Sequence, residues 1–342
     1  MATVKYPNAK FTLLERANRS NDGKKILPLL DVMDQMGVAE FLKDVPYMQA
    51  NRGLSHTHRR TTSRPSSTRR TFYKGVTGTG LTSEVINEPI ILFEARSEID
   101  EDEVDTVENG NEIRRQEDGA HAAGMIDDFC NAIFNDARTS GSEYLNGLKQ
   151  RMTTVSYPGH TTTTLPYVWD NGGTSSTLTS MYLVEWGPEA AFAIYPSGSA
   201  MAGTTLGINI RNKGKEKVTQ SASSLAVYYA YVTQFKKWCG LVVRDDRKVA
   251  RIANIETSTT GENRFDEDIL IRALRHGKFD KRRTRLYCNP YLAADLDIRA
   301  KDKGNVQWST SEVFGRKVTT FLDVPVRVLD EHIITAAETQ LT

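Results

Sequence analysis

"DEDILIRALRHGKFDKRRTRLYCNPYLAADLDIRAKDKG", residues 266–304, is the most clearly punctuated stretch of the chain. Asp266 stands where a helix cap belongs, and Ile269, Leu270, Ala273 and Leu274 share one face of the helix that follows. Arg272, Arg275 and His276 fill its last turn, where cations meet the negative end of the helix dipole, and Gly277 ends it. "TRLYCN" then reads as a strand. Asn289-Pro290 opens a second helix through Leu292 and Leu296, closing at Lys301, Lys303 and Gly304. Beyond it, "FGRKVTTFLDVPVRVLD" (314–330) sets Val318, Leu322, Val324, Val326 and Val328 on one face of a single strand, where Pro325 implies an edge or a bulge.

Upstream, the apolar pattern changes period. "MYLVEWGPEAAFAIYP" (181–196) predicts a hairpin turning at Gly187-Pro188 and buried on both sides. "WCGLVVRDDRKVARIANIE" (238–256) is a second β-rich block. Between them, 198–224 reads as exposed, and "KGK" (213–215) lacks the spacing of a phosphate loop, which leaves it a solvated turn. Residues 111–136 predict a long helix on Ala122, Ile126, Phe129, Ile133 and Phe134, which at 1.5 Å per residue spans roughly 39 Å. The fold class is therefore α+β.

Two charged runs stand out. From Arg52 to Lys74 the cations Arg52, Arg59, Arg60, Arg64, Arg69, Arg70 and Lys74 appear without a carboxylate. "GVTGTG" and the strand-like "PIILFEARSEI" follow, which predicts an extended hairpin over 51–98 with a hydrophilic tip. The next run is acidic: Glu98, Asp100, Glu101, Asp102, Glu103, Asp105 and Glu108, with no base among them. It lacks the glycine a calcium loop needs at its sixth position, so it reads as a solvated or partner-facing surface. Residues 1–50 form an arm with two short amphipathic helices, one on Leu29, Leu30, Met33 and Met36, the other on Val38, Phe41 and Leu42. Neither is long enough to stand alone in water.

Forty-four basic and 43 acidic residues among 342 leave a formal charge of +1, which argues against a protein devoted to coating nucleic acid. No apolar run is long enough for a membrane span and the first residues lack a secretory pattern. Cys130, Cys239 and Cys288 are far apart beside apolar residues and read as buried thiols. His56 and His58 lie two apart on one side of a strand, but a basic loop is a poor metal site. No nucleophile, zincin, Walker or dinucleotide pattern is present, so no catalytic, cofactor or metal residue is expected.

The order of segments carries more. "HRRTT…RRTFYKG", "ILFEARSEID", a long helix, "FNDARTSGSEYLNGL", "YLVEWGPEAAFAIYP", "CGLVVRDDRKVARIANIE", "LYCNPYLAADLDIRAKDKGNVQW" and "FGRKVTTFLDVPVRVLD" together resemble the major capsid proteins of tailed bacteriophages, in a podovirus-like branch of the Hong Kong 97-type fold. The resemblance implies an N-terminal arm (1–50), an E-loop (51–98), a P-domain (99–257) holding a spine helix at 111–136, an A-domain (258–335) and a C-terminal tail (336–342). In the type member the segment matching 266–330 lies mid-chain. Here it nearly ends the chain, which implies rewired connectivity, with 181–196 and 225–256 supplying P-domain strands.

The implied function is a head protein that assembles into hexamers and pentamers of an icosahedral shell around double-stranded DNA. Its partners would be itself, portal, scaffolding and decoration proteins, and packaged DNA met non-specifically on the inner face. It would be assembled in the host cytoplasm and retained in the virion. A nucleic-acid-binding module and a cellular encapsulating shell are the alternatives. Head-to-tail assembly needs complementary patches. The residues expected to meet across subunits are Arg59, Arg60, Arg64, Arg69, Arg70 and Lys74 on one side, and Asp100, Glu101, Asp102, Glu103 and Asp105 on the other. Lys74 lies in the loop that is cross-linked in the type member, but no asparagine or assisting acid can be matched to it, so no covalent link is expected.

Overall fold

Local signals place the helices. The computed structural model describes residues 20–21, 25–26, 38–106, 110–197, 208–221, 224–258, 261–302, 308–313 and 316–342. Two short strands, β1 (Ser20–Asn21) and β2 (Lys25–Ile26), precede α1 (Val38–Asp44) and β3 (Tyr47–Gln49). The first predicted arm helix lies outside the described residues; the second is α1, with Val38 and Phe41 buried. Next come β4 (Ser55–Ser63), β5 (Thr82–Pro89), β6 (Ile91–Asp100), α2 (Glu101–Asp105), the long α3 (Gly110–Asn135) and α4 (Leu148–Arg151). Then β7 (Tyr167–Asp170), β8 (Leu178–Glu185), β9 (Ala191–Tyr195), β10 (Asn209–Ser221), β11 (Ser224–Val243) and β12 (Val249–Glu256). The chain ends with α5 (Glu267–His276), β13 (Thr284–Cys288), α6 (Pro290–Asp302), β14 (Trp308–Val313), β15 (Arg316–Phe321) and β16 (Val324–Val328). Asp266 caps α5 as predicted, its carboxylate accepting from the Asp268 amide at 2.9 Å, and Asn289 does the same for α6 through the Leu292 amide.

The chain divides into two compact units: one of residues 35–93, 127–207 and 238–342, the other of residues 1–34, 94–126 and 208–237. In the first, seven strands run in the order β14-β15-β16-β13-β8-β12-β7. One face packs Met181, Leu183, Ile252 and Leu286 against Phe265, Leu270, Leu292 and Leu296 from and beside α5 and α6. The other is aromatic: Phe134 near the end of α3 lies 5.4 Å from Tyr182 and 5.6 Å from Tyr287, and Phe41 of α1 lies 5.5 Å from both Phe134 and Tyr287. Cover on both faces explains why every residue of β8 and β12 is buried and why neither strand shows polar alternation. In the second unit Ile99, Val104 and Ile113 gather around Tyr231, and Val218, Ala230 and Val232 form a smaller cluster.

Several expectations change. The predicted hairpin at 181–196 is not one: β8 pairs with β12 and β13, whereas β9 pairs with β11 and β3, in a different sheet. The block 238–256 divides the same way, because β11 continues with β9 while β12 joins β8. Residues 178–185 and 249–256 thus share a sheet with 284–288 and 324–328. Runs buried on both faces carry no alternation that could say which sheet they enter. Residues 316–328 form two strands, since Leu322 and Asp323 take positive φ (48° and 69°) and turn the chain back. Pro325 is the second residue of an interior strand, opposite Thr320 and ahead of the β13 ladder, which starts at Val326. Residues 209–220 are mostly exposed, as expected, but lie in a strand, β10, with a register shift between Asn212 and Gly214 where a turn was expected.

Candidate assembly interface

The basic run folds as predicted, into an antiparallel pair. β4 and β5 pair from Ser55 opposite Pro89 to Ser63 opposite Thr82, with a register shift between Thr61 and Ser63, and residues 64–81 join them without regular structure, all exposed. At the tip Phe72 is 89% exposed and Tyr73 fully so, beside Arg64, Arg69, Arg70 and Lys74. Both rings therefore stand uncovered among the described residues. Arg70 donates to the Lys74 carbonyl at 3.2 Å, so part of the tip is locally braced.

The base of the hairpin is different. One face carries His56 opposite Glu88, His58 opposite Ile86, and Arg60 opposite Glu84. Arg60 donates to Glu84 at 2.8 Å and pairs with the Asp246 carboxylate in the turn after β11. Glu88, 2% exposed, meets Arg151 of α4 at 2.8 Å. Arg59 points to the opposite face and donates to Ser83 at 2.6 Å. Arg60, expected to reach another subunit, therefore has two acidic partners in its own chain.

The acidic run also has a partner at home. Asp100 caps α2, accepting from the Asp102 amide at 3.0 Å. Glu101 and Asp105 accept from Lys215 of β10 at 2.5 and 3.1 Å, and the Tyr231 hydroxyl donates to Asp105 at 3.1 Å. The Arg114 guanidinium sits 4.6 Å over the Tyr231 ring. The hydrogen bond from Lys215 holds the Asp105 carboxyl below its ordinary range, and the two carboxylates raise the lysine. Asp102 is exposed and Glu103 half-buried; Glu108 lies outside the described residues. The sequence reading missed Lys215 and Asp246. The signal for Lys215 was the alternation of lysines at 213, 215 and 217, which suits a strand better than a turn.

The family model of major capsid protein GP7 matches residues 21–342. The chain belongs to that family. Among solved structures, the bacteriophage Epsilon15 structure is similar with a TM-score of 0.68 at 20% identity, covering 96% of this chain and 97% of that one. A capsid of bacteriophage JBD30, decorated with minor capsid protein trimers, gives 0.47 at 15% identity over 98% and 100% of the two chains. The SrpI encapsulin of Synechococcus elongatus PCC 7942 gives 0.40 at 10% identity, covering 75% and 100%. No curated protein matches. The capsid protein has the α+β Hong Kong 97-type fold of tailed-phage heads, and its function is to build the virion shell from copies of itself.

Proposed function

We propose that this capsid protein forms hexamers and pentamers of an icosahedral shell around double-stranded DNA, with the β4–β5 hairpin as an E-loop lying over the adjoining copy and α3 as the spine helix. The carrying observation is the tip: residues 64–81 have no cover among the described residues, and they hold two bare aromatic rings and four cations. Because Arg60, Glu101 and Asp105 are engaged internally, Arg64, Arg69, Arg70 and Lys74 form the grip, and the exposed Asp102 belongs to the surface it meets. Exposed ion pairs contribute about 0–1 kcal/mol each, which leaves early assembly reversible and salt-sensitive. Portal, scaffolding and decoration proteins, non-specific contact with packaged DNA on the inner face, and assembly in the host cytoplasm complete the reading.

The test is the double reversal Arg69→Glu with Arg70→Glu, followed by sizing and electron microscopy at low salt. Loss of closed shells, restored by Asp102→Lys, is the expected result. Normal particles from the reversal alone would refute the grip.

A further inference from the structure

The base of the hairpin holds two histidines that the grip does not use. His58 is 7% exposed, and neither of its ring nitrogens has a hydrogen-bond partner among the described residues. The His56 ring centroid lies 6.2 Å from that of His58 and 5.5 Å, edge-on, from that of Phe192 of β9. Around them stand Arg60 on β4, Glu84 and Glu88 on β5, Arg151 on α4, and Arg244 and Asp246 in the turn after β11. The carboxylates are already committed: Glu84 and Asp246 to Arg60, Glu88 to Arg151, and Glu189 to Arg244 at 3.0 Å. A proton added to either imidazole would place a further cation near guanidiniums, where each of these carboxylates already faces an arginine.

We infer that His56 and His58 are a proton-operated latch at the foot of the hairpin: neutral, they let the face of β4 and β5 lie against β9, α4 and the 244–246 turn; protonated, they release it. Without that support the two-stranded β4–β5 ladder opens readily, because an isolated hairpin is only marginally stable in water, and the charged rings gain water. Gly53, at φ 41°, and the Ile90 amide bonded to the Leu54 carbonyl at 2.9 Å mark the two hinge points.

The linkage sign follows from the histidines. Burial, then His56 and the arginines, push His58 from 6.5 down to about 4, and burial with Arg244 lowers His56. Docking is therefore complete above about pH 6.5 and weakens as pH falls toward 4. For one proton the loss is up to roughly tenfold per pH unit, on the order of 300-fold across that window. Asp246 acts in the opposite sense, because burial raises its carboxyl above the ordinary range despite Arg60. Substitutions separate the two contributions.

The latch belongs to the free subunit, so its failure is distinct from a failure of the hairpin to grip a neighbour. Amide hydrogen exchange on the unassembled full chain at pH 7.5 and 5.0, corrected for intrinsic rates, reads it directly. The expected result is a rise of tenfold or more at pH 5.0 in amides of 55–63 and 82–89, with none in β8 and β12. His56→Phe with His58→Phe removes the rise, and Asp246→Asn keeps it. An unchanged hairpin in the native chain overturns the latch, as does a rise that persists in the double histidine variant or vanishes in Asp246→Asn. The native and Asp246→Asn measurements decide the matter even if the histidine variant does not fold.

Discussion

Arg251, 1% exposed, donates through Nη2 to the Glu338 carboxylate at 2.9 Å, and this pair ties the last residues of the chain to β12 of the seven-stranded sheet. Arg251 also donates to Ser180 Oγ at 2.9 Å and to the Met152 carbonyl at 2.8 Å, and Lys149 lies 3.1 Å from the other Glu338 oxygen. The Glu338 amide bonds the Leu178 carbonyl, and Asn254 and Leu341 exchange two hydrogen bonds at 2.9 Å. The tail is thus a packed part of the fold, held by one buried charge answering another.

Replacing Glu338 by Gln leaves Arg251 charged and buried without its anion. Breaking a buried pair from one side costs about 3–5 kcal/mol, so the variant should unfold at clearly lower urea concentration than the native chain. An unchanged midpoint would show that water reaches Arg251.

The same pair predicts an acid limb. Burial raises the Glu338 carboxyl, but Arg251, Lys149 and the bond from Ser180 more than offset it, so it sits below its ordinary 4.5. Its contribution is complete above about pH 4.5 and is lost as pH falls through the lowered value. Between pH 5 and 3 the native chain should lose more unfolding free energy than Glu338→Gln does, as read by urea titrations at each pH.

Asp44 at the end of α1 joins two arginines of neighbouring strands, Arg285 at 2.9 Å and Arg327 at 2.8 Å. Asp44→Ala should destabilise by about 1–3 kcal/mol, since both guanidiniums keep partial access to water. A double-mutant cycle with Arg285→Ala should return a coupling of at least about 0.5 kcal/mol; an additive result would mean that the Asp44–Arg285 contact does not help to hold α1.

Gly240 in β11 has room only for hydrogen. A Cβ there would fall 2.6 Å from the Pro89 carbonyl oxygen and 2.8 Å from an Ile194 side-chain carbon. Gly240→Ala should cost about 1–3 kcal/mol by forcing these neighbours apart, and thermal unfolding against native protein checks it.

Asp323 carries a side chain at φ 69° in the turn between β15 and β16. Asp323→Gly should raise stability by about 0.4–1 kcal/mol, because the exposed Lys281 contact it removes is worth little. A fall in the urea midpoint would show that this contact matters.

Helix ends were legible because the forces that set them are local. Asp266, Gly277, Asn289 and Pro290 do their work within one turn, and the helix read over 111–136 spans 110–135. The hairpin at 55–89 was legible from charge and glycine content. The parting of β8 from β9 was not, because "MYLVEW" and "AFAIY" are equally apolar and nothing within them names a partner sheet. The engaged state of Arg60, Glu101 and Asp105 was equally hidden: Asp246 and Lys215 lie more than a hundred residues away in the chain.

The amino-acid order by itself determined the class of fold, the helix boundaries, the bare basic flap and the likeness to capsid proteins, since each rests on periodicity, capping chemistry or segment order. Tertiary structure alone decided which strands share a sheet, which charges are already answered, and that two histidines, one of them buried, stand among arginines. Those are contacts between distant segments, and their energies depend on burial, which no local pattern encodes.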